Sequence, residues 1–312
     1  MRVVFLGTPE FSAHVLKYLI ESGVEVVGVI SKPDKPQGRS KKPVPTPVKA
    51  YITENYPNIP VYQPEKVSHP EFQTTIEALK PDLFVVVAYG EIIRESLLKI
   101  PPLGAINLHT SYLPRWRGGA PVQRAIMAGD TYSGVTIIRL VKAMDAGDML
   151  GQEKVEISDE MTAGELEEKL LQLGKPLLLK VIREVEKGEE KALTQDPEKV
   201  TIGPKVKLEE YELFWDRPAK EIHDLIRAAN PEPGAYCFMV LKGEKRRLKV
   251  FKSAVVDVKG MPGEILSFSK NRFAIGCGVK SLELLEIQPE GKRIMNASDF
   301  FRGLSEAFPT LL

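Results

Sequence analysis

Hydrophobic residues in the first half of the chain alternate between strand-like runs and helical spacing. Short apolar runs predict strands over residues 3–6, 24–30, 83–88, 105–109 and 135–140. Between them, helical spacing predicts helices over 9–22 and 91–99, the first with Pro9 at its start and Gly23 after its end. Strands that alternate with helices indicate an α/β domain around a largely parallel, Rossmann-like sheet.

The pattern changes after Leu150. Thr162 and Glu165 form the T-x-x-E capping box of a long amphipathic helix that runs to about Gly188. A polar segment without periodicity follows over 189–207, and it is the best candidate for a linker.

The last third of the chain contains short β-type runs separated by Gly and Pro. After a helix predicted over 214–229, such runs span 235–241, 247–256, 263–268, 272–276 and 281–287, and a short helix closes the chain. Five strands in so short a stretch indicate a small β-barrel of the OB type. We therefore expect an α/β domain over 1–188, a linker over 189–207 and an OB-like barrel over 208–312.

Composition places the chain among ordinary cytoplasmic proteins. It has 312 residues, 43% hydrophobic and 27% charged, with a net charge of +1. No apolar run reaches the roughly 20 residues that span a bilayer, and the N-terminal run is too short for a signal peptide. Cys237 and Cys277 form no C-x-x-C pair and are expected to be reduced, partly buried thiols. The four histidines are scattered, so no metal site is expected.

Positive charge is concentrated in two stretches. Residues 31–49 carry six Lys/Arg against one Asp, and residues 242–252 carry six against one Glu. Such clusters suit a phosphate-binding surface, but solvated loops also have this composition. Charge alone leaves both interpretations open.

Several common catalytic motifs are missing from the sequence. The turn Gly7-Thr8-Pro9 has only one of the glycines of G-x-G-x-x-G, which disfavours binding of NAD or FAD. There is no P-loop and no G-x-S-x-G nucleophile elbow, so a covalent enzyme nucleophile is not indicated.

The candidate chemistry lies in Gly104–Pro121. Asn107 and His109 are two apart on a predicted strand, so their side chains share one face near its carboxyl end. Asp145 and Asp148 follow another strand, and spacing does not distinguish between them. An amide, an imidazole and a carboxylate suit a direct transfer in which the substrate attacks a carbonyl and the protein stabilises the oxyanion. The alternative is an ordinary strand end with satisfied hydrogen bonds.

These segments together resemble a known family. INLHTSYLPRWRGGAPVQRAI resembles the formyltransferase signature N-x-H-x-S-x-L-P-x-x-R-G, and MDAGDML resembles its later D-x-G-D segment. VVFLGTPEF, SKPDKPQGRSKKP and VVVAYGEII resemble the methionyl-tRNA formyltransferase family in particular, and the likeness spans nearly the whole chain. It implies a formyltransferase domain followed by an OB-like tRNA-binding barrel.

The resemblance also implies substrates and residue roles. The formyl donor would be 10-formyltetrahydrofolate and the acceptor initiator methionyl-tRNA, in a monomer without metal. Catalysis would fall to Asn107, His109 and Asp145. Folate contacts would come from Ser111, Tyr112, Leu113 and Pro114, with a pterin pocket at Val87, Ala88, Tyr89 and Gly90. Contacts with tRNA would come from Arg39, Lys41 and Lys42 of the basic loop. In the barrel, the positive charge of Lys245, Arg246 and Arg247 predicts nonspecific phosphate contacts, and the alternative is an ordinary charged hairpin tip. Thr110, Tyr112 and Gly119 depart from the residues usual in the family, and Tyr112 loosens the folate assignment.

Three alternatives share part of this pattern. A formyltransferase for a small amine, such as glycinamide ribonucleotide or an amino sugar, would have the same Asn-His-Asp set, but such enzymes do not usually combine it with a basic Pro-rich loop and a β-barrel tail. A folate-dependent hydrolase would release formate. A tRNA-binding module with an inactive catalytic domain is disfavoured by the intact Asn107, His109 and Asp145.

Overall fold

The computed structural model describes residues 1–36, 42–241, 243–269, 272–304 and 310–311. They form two compact units. The first comprises Met1–Gly118, Gly134–Val155 and Glu168–Ile202, and the second comprises Gly119–Ser133, Glu156–Glu167 and Gly203–Leu312. Each unit is built from several stretches of chain, and the boundaries expected at 188 and 207 stay a prediction.

The strands and helices of the described residues follow in chain order. The strands are β1 (Arg2–Gly7), β2 (Glu25–Ile30), β3 (Lys35–Pro36), β4 (Pro43–Val44), β5 (Val61–Tyr62), β6 (Leu83–Val87), β7 (Ala105–His109), β8 (Tyr132–Arg139), β9 (Met149–Glu156), β10 (Ala235–Leu241), β11 (Glu244–Val256), β12 (Ile265–Ser269), β13 (Arg272–Gly276), β14 (Ser281–Pro289), β15 (Met295–Asn296) and β16 (Thr310–Leu311). The α-helices are α1 (Glu10–Glu21), α2 (Pro47–Asn55), α3 (Pro70–Glu77), α4 (Glu95–Leu98), α5 (Pro121–Met127), α6 (Ala163–Lys187), α7 (Ala219–Ala228) and α8 (Ala297–Arg302). Short 3-10 turns lie at Pro197–Lys199 and Leu208–Tyr211.

A seven-stranded sheet organises the first unit, in the order β5-β2-β1-β6-β7-β8-β9. Neighbouring strands from β5 to β7 are parallel, and β7 pairs with β8 in the antiparallel sense. Val3–Leu6 of β1 is completely buried, as in a strand covered on both faces. The prediction of a largely parallel α/β sheet is confirmed. The carboxyl ends of its parallel strands lie along one edge, where ligands of such sheets bind.

The capping box that the sequence predicts for the long helix is present. The N–H of Glu165 donates to Thr162 Oγ1 at 3.3 Å, and the N–H of Thr162 donates to Glu165 Oε2 at 2.8 Å. Two N–H groups that a helix start leaves without intrahelical partners are thereby satisfied. Helix α6 follows directly and ends at Lys187, so this prediction is confirmed.

The first unit differs from the sequence prediction at the helix over 91–99 and at elements that were not predicted, which are α2, α3, β3, β4, β5 and β9. The helix expected over 91–99 forms only as α4, because Glu91 makes contacts outside a helix: it accepts the N–H of Val67 and pairs with Lys32. The prediction is therefore wrong for residues 91–94. Strand β9 was not expected, since only its first two residues are buried and it has no continuous apolar run.

The second unit is built on an antiparallel sheet of OB type, in the order β12-β13-β14-β11-β10-β16, with β15 on β14. Its core includes Trp215 and the packed rings of Phe273 and Phe301, whose centroids are 5.3 Å apart. Cys237 and Cys277 are free and buried, as predicted. Among the described residues, no helix combines the length and the apolar character needed to cross a bilayer.

Helix α7 carries a buried histidine into this unit. The Nε2 of His223 lies 3.0 Å from the carbonyl oxygen of Asp159, which can only accept, so Nε2 carries the proton. Nδ1 lies 2.9 Å from Ser253 Oγ and accepts from it in the neutral ring. Burial lowers the pKa of His223, and neighbouring Arg227 lowers it further, whereas the Asp159 carbonyl and the Glu160 carboxylate act in the opposite direction.

We predict that His223 makes the second unit sensitive to acid. The folded chain binds this proton less readily than the unfolded chain, so stability is complete above the ordinary histidine pKa of about 6.5 and falls as the pH drops through and below it. Replacing His223 by Gln should therefore reduce the loss of unfolding free energy between pH 7.5 and pH 5. Urea unfolding followed by fluorescence measures this in a Trp116→Phe background, where Trp215 is the only tryptophan left. An equal loss in the two proteins would contradict the prediction.

Candidate active site

Asn107 and His109 lie at the carboxyl end of β7, in the middle of the edge where the parallel strands end. Asn107 pairs with Val86 of β6 on one side and Ile138 of β8 on the other. Because side chains alternate along a strand, Asn107 and His109 point to the same face. Asn107 is half-buried and His109 is 6% exposed, so both groups are largely withdrawn from solvent.

The two ring nitrogens of His109 have different surroundings. Nε2 lies 3.0 Å from the carbonyl oxygen of Trp116. Since a carbonyl oxygen can only accept, Nε2 carries the proton in the neutral ring. Nδ1 faces Asp145 Oδ2 at 3.8 Å, which is too long for a direct hydrogen bond. The neutral imidazole therefore presents the Nδ1 lone pair to a carboxylate, across a gap that a third polar group can bridge.

Asp145 is the aspartate that faces His109. Its Oδ2 also accepts the N–H of Gly118 at 2.9 Å, and its side chain is 13% exposed. Its φ of 50° lies in the left-handed region, which is unfavourable for any residue with a Cβ. The main chain of Asp148 instead continues the sheet, since its carbonyl accepts the N–H of Arg139.

The segment between Pro114 and Gly118 is fixed by Thr201. The N–H of Trp116 donates to Thr201 Oγ1 at 2.8 Å, and the N–H of Arg117 donates to the Thr201 carbonyl at 2.9 Å. Trp116 has a left-handed φ of 64°. The guanidinium of Arg115 stacks 4.4 Å from its ring, a structural contact within the loop. These contacts position the Trp116 carbonyl, which accepts the hydrogen bond from His109 Nε2.

The four residues expected to contact folate alternate in burial. Ser111 and Leu113 are buried: the Ser111 hydroxyl donates to the carbonyl of Arg115 at 2.7 Å, and the N–H of Leu113 donates to Thr136 Oγ1 at 3.2 Å. Tyr112 and Pro114 are half-buried. The Ser111 side chain and the Leu113 main chain stabilise the turn, and the side chains of Tyr112 and Pro114 are accessible.

The segment expected to line the pterin pocket has the same alternation. Val87 and Tyr89 are buried, whereas Ala88 and Gly90 are exposed and have left-handed φ angles of 45° and 85°. Any contact of this segment with a ligand therefore comes mainly from its main chain at residues 88 and 90.

The first turn of the chain supports that segment. Ser12 Oγ donates to the Val87 carbonyl at 2.6 Å and Thr8 Oγ1 donates to the Tyr89 carbonyl at 3.0 Å. A Cβ added to Gly7 would lie 2.6 Å from the Phe5 ring and 3.0 Å from the Val87 oxygen. Gly7 thus permits close packing of three chain segments, which is a different role from the phosphate-binding glycine of dinucleotide folds.

The two ends of the basic loop over 31–49 are held by ion pairs. Lys32 pairs with Glu91 at 2.6 Å and Lys49 pairs with Asp34 at 2.6 Å. The Gln63 amide fixes the first arm of the loop by donating to the Lys32 carbonyl and to Asp34. Gln63 and Lys49 hold the pKa of the Asp34 carboxyl below its usual value. Of the predicted tRNA contacts, Arg39 and Lys41 lie outside the described residues, and Lys42 is exposed.

The predicted contacts of the second unit lie on β11. Lys245, Arg246 and Arg247 are all exposed, but they alternate between faces. Lys245 lies 4.2 Å from the Phe238 ring, and Arg247 lies 4.8 Å from the Tyr236 ring. Arg246 is on the other face and pairs with Glu244. Lys245 and Arg247 therefore form one basic and aromatic surface with β10, and Arg246 lies apart from it.

The sequence matches a family with two domains. Residues 1–182 match the formyl transferase domain and residues 205–305 match the formyl transferase C-terminal domain.

The chain belongs to the formyl transferase family.

Relatives of this formyl transferase align over its full length. A methionyl-tRNA formyltransferase of Protochlamydia amoebophila is 49% identical, and the alignment covers 98% of this chain and 96% of the relative. One from Chlamydia muridarum is 43% identical over 100% of this chain and 99% of its own. Among solved structures, WlaRD, a sugar 3N-formyl transferase crystallised with dTDP and 5-N-formyl-THF, has a TM-score of 0.66 at 19% identity, covering 94% of this chain and 99% of the other. This last likeness is one of fold.

Sequence reasoning missed the residues that position the candidate site of this formyl transferase. Thr201 and Gln195 lie in the polar segment expected to be a linker, and Gln195 bonds to the main chain beside Asp145. No periodicity marks such contacts, since a polar side chain bonded to a distant carbonyl leaves no local pattern. Among the described residues, no group of three or more His, Cys, Asp or Glu side chains is arranged to bind a metal ion.

Proposed function

We propose that this formyl transferase moves the formyl group of 10-formyltetrahydrofolate to the α-amino group of initiator methionyl-tRNA. The observation that carries the proposal is the match with methionyl-tRNA formyltransferases over the whole length, including the C-terminal domain. The site fits the reaction, because an imidazole and a carboxylate face each other at 3.8 Å, an amide lies on the same face of β7 as the imidazole, and none of the three is a nucleophilic side chain. We further propose that the enzyme acts as a cytoplasmic monomer.

In the proposed reaction the methionyl amine attacks the formyl carbon and the carbonyl π electrons move to oxygen. The tetrahedral intermediate then collapses, the bond from carbon to the folate nitrogen breaks, and that nitrogen gains the proton that the amine loses. The products are formylmethionyl-tRNA and tetrahydrofolate. Asn107 donates an N–H to the oxyanion. Its amide is neutral and stabilises the oxyanion without any proton transfer.

His109 and Asp145 handle charge and proton in this scheme. With Nε2–H bonded to Trp116, Nδ1 is the nitrogen available to the reacting groups. When protonated it adds a second donor toward the oxyanion, and Asp145 balances the resulting positive charge. The 3.8 Å between Nδ1 and Oδ2 suits a shared donor, such as the amine or a water molecule, through which the proton passes to the leaving nitrogen.

The folate is proposed to contact two segments of the first unit. The exposed main chain at Ala88 and Gly90 would bind the pterin, and Tyr112 and Pro114 would contact the remainder through accessible side chains. The buried residues of the two segments would hold them in place; these are Val87, Tyr89, Ser111 and Leu113.

The tRNA is proposed to contact both units. Arg39, Lys41 and Lys42 of the basic loop would approach the acceptor end, and Lys245 and Arg247 of β11 would contact phosphates. In the division expected from the sequence, 1–188 carries catalysis and the basic loop, and 208–312 is the tRNA-binding barrel.

A transfer assay with labelled formyl-folate tests the proposed function. Acceptors offered separately are initiator methionyl-tRNA, elongator methionyl-tRNA, glycinamide ribonucleotide, an amino sugar nucleotide and water. We expect label on initiator methionyl-tRNA with a kcat/KM well above that for every other acceptor. Faster transfer to a small amine, or release of formate as the main product, would refute the proposal.

Removal of either oxyanion donor should lower kcat by roughly a hundredfold or more. A donor of this type contributes about 3–4 kcal/mol to the transition state. Asn107→Ala and His109→Ala are compared in the same assay with Asn55→Ala and His14→Ala, which alter exposed residues of the same types in the same unit. A loss of tenfold or less would remove that residue from the proposed role.

Charge removal on β11 should distinguish its two faces. Lys245→Met combined with Arg247→Met should weaken tRNA binding and flatten the slope of its salt dependence by about 0.7–0.9 for each phosphate that is no longer neutralised. Arg246→Met is the matched control, because Arg246 is paired with Glu244 on the other face, and we expect little change. Filter binding of tRNA at several salt concentrations measures both. Equal slopes for the double variant and the wild type would contradict the assignment.

A further inference from the structure

Gln195 is a buried glutamine whose amide makes three hydrogen bonds. It lies in the polar segment after α6 and is 5% exposed. Its Nε2 donates to the carbonyl of Asp145 at 2.7 Å and to the carbonyl of Gly147 at 2.8 Å, and its Oε1 accepts from Arg117 Nε at 3.0 Å. Buried amides of this kind are uncommon and are stabilised only when their donors and acceptors are satisfied.

The two carbonyls belong to the turn that carries Asp145. Asp145 has a left-handed φ of 50°, a conformation that persists only where the surroundings impose it. On the far side of the turn the main chain at Gly147 packs so closely on Arg139 that an added Cβ would lie 1.8 Å from the Arg139 carbonyl oxygen. Gln195 therefore holds this turn by hydrogen bonds on one side, and close packing against the Arg139 main chain restricts its movement on the other.

The third hydrogen bond of Gln195 reaches the opposite wall of the site. Arg117 lies between Trp116, whose carbonyl accepts from His109, and Gly118, whose N–H donates to the Asp145 carboxylate. The chain of contacts is closed: Asp145 carbonyl to Gln195, Gln195 to Arg117, and Gly118 back to Asp145 Oδ2. One amide thus joins the turn that carries the carboxylate to the segment that orients the imidazole.

We propose that Gln195 is a positioning residue for Asp145 and keeps the Asp145 carboxylate facing His109 Nδ1. The inference rests on the proposed role of Asp145 in formyl transfer. Without the two hydrogen bonds, the Asp145 main chain can leave its left-handed conformation and carry the carboxylate away from Nδ1. A displacement of about 1 Å at a reacting centre can cost a hundredfold in rate.

A double-mutant cycle tests this role. Gln195→Met keeps the length of the side chain and removes the amide, and it should lower single-turnover formyl transfer by about 10- to 100-fold with KM for both substrates within about twofold. In an Asp145→Asn background the same change should cost less than about twofold, because a residue that acts through Asp145 has nothing left to position. Gln172→Met, which removes an exposed amide in the same unit, should leave the rate unchanged.

The outcomes separate the inference from the proposed function. Equal losses in the wild-type and Asp145→Asn backgrounds, or no loss in Gln195→Met, would overturn the role of Gln195 alone. Full activity of Asp145→Asn would overturn the role of Asp145, and with it the inference. Should Gln195→Met fail to fold by thermal unfolding, Gln195→Glu replaces it, since it retains the acceptor for Arg117 and removes both donors to the carbonyls. A fully active Gln195→Glu would likewise overturn the proposal.

Discussion

The hydrogen bond from His109 Nε2 to the Trp116 carbonyl is the constraint on which the candidate site depends. It determines which nitrogen carries the proton, and it therefore leaves the lone pair of Nδ1 facing the carboxylate of Asp145. An imidazole free to rotate or change tautomer would present a proton to Asp145 as readily as a lone pair. The acceptor is a main-chain carbonyl, which no change of pH can alter. The position of the Trp116 main chain therefore fixes the tautomer of the His109 ring.

The backbone around this carbonyl and the rest of the site is strained at several residues. Ala88, Trp116 and Asp145 all have left-handed φ angles, a conformation that costs residues with a Cβ about 1–2 kcal/mol each. Each strained residue has side-chain hydrogen bonds at or beside it: Ser12 and Thr8 beside Ala88, Thr201 at Trp116, and Gln195 at Asp145. Strain and its compensation are thus paired at three points around the site, as is typical of functional sites.

This pairing explains what the sequence could and could not predict. Periodicity is a local property, so it found the buried strand 83–88, the strand 105–109 and the amphipathic helix after Thr162, whose capping box is also local. The two catalytic candidates on β7 followed from alternation along one strand. Gln195 and Thr201 act on main-chain groups about fifty to eighty-five residues away, and nothing in their own surroundings in sequence distinguishes them from linker residues. The choice between Asp145 and Asp148 likewise needed the resemblance to a family, because it depends on how a turn folds back toward another strand.

A contact at the base of the basic loop connects the segments proposed to bind the two substrates. Glu91 follows directly after the main chain proposed to bind the pterin, and its carboxylate pairs with Lys32 at the root of the loop proposed to reach the tRNA. Its other oxygen accepts the N–H of Val67, so the carboxylate is fixed on both sides. Lys32 and Glu91 have about a quarter or less of their side chains exposed, and the pair is therefore less screened than an ion pair at the surface. The loops after β2 and β6 are consequently joined across the end of β1, and the segments proposed to bind the donor and the acceptor share this contact within the first unit.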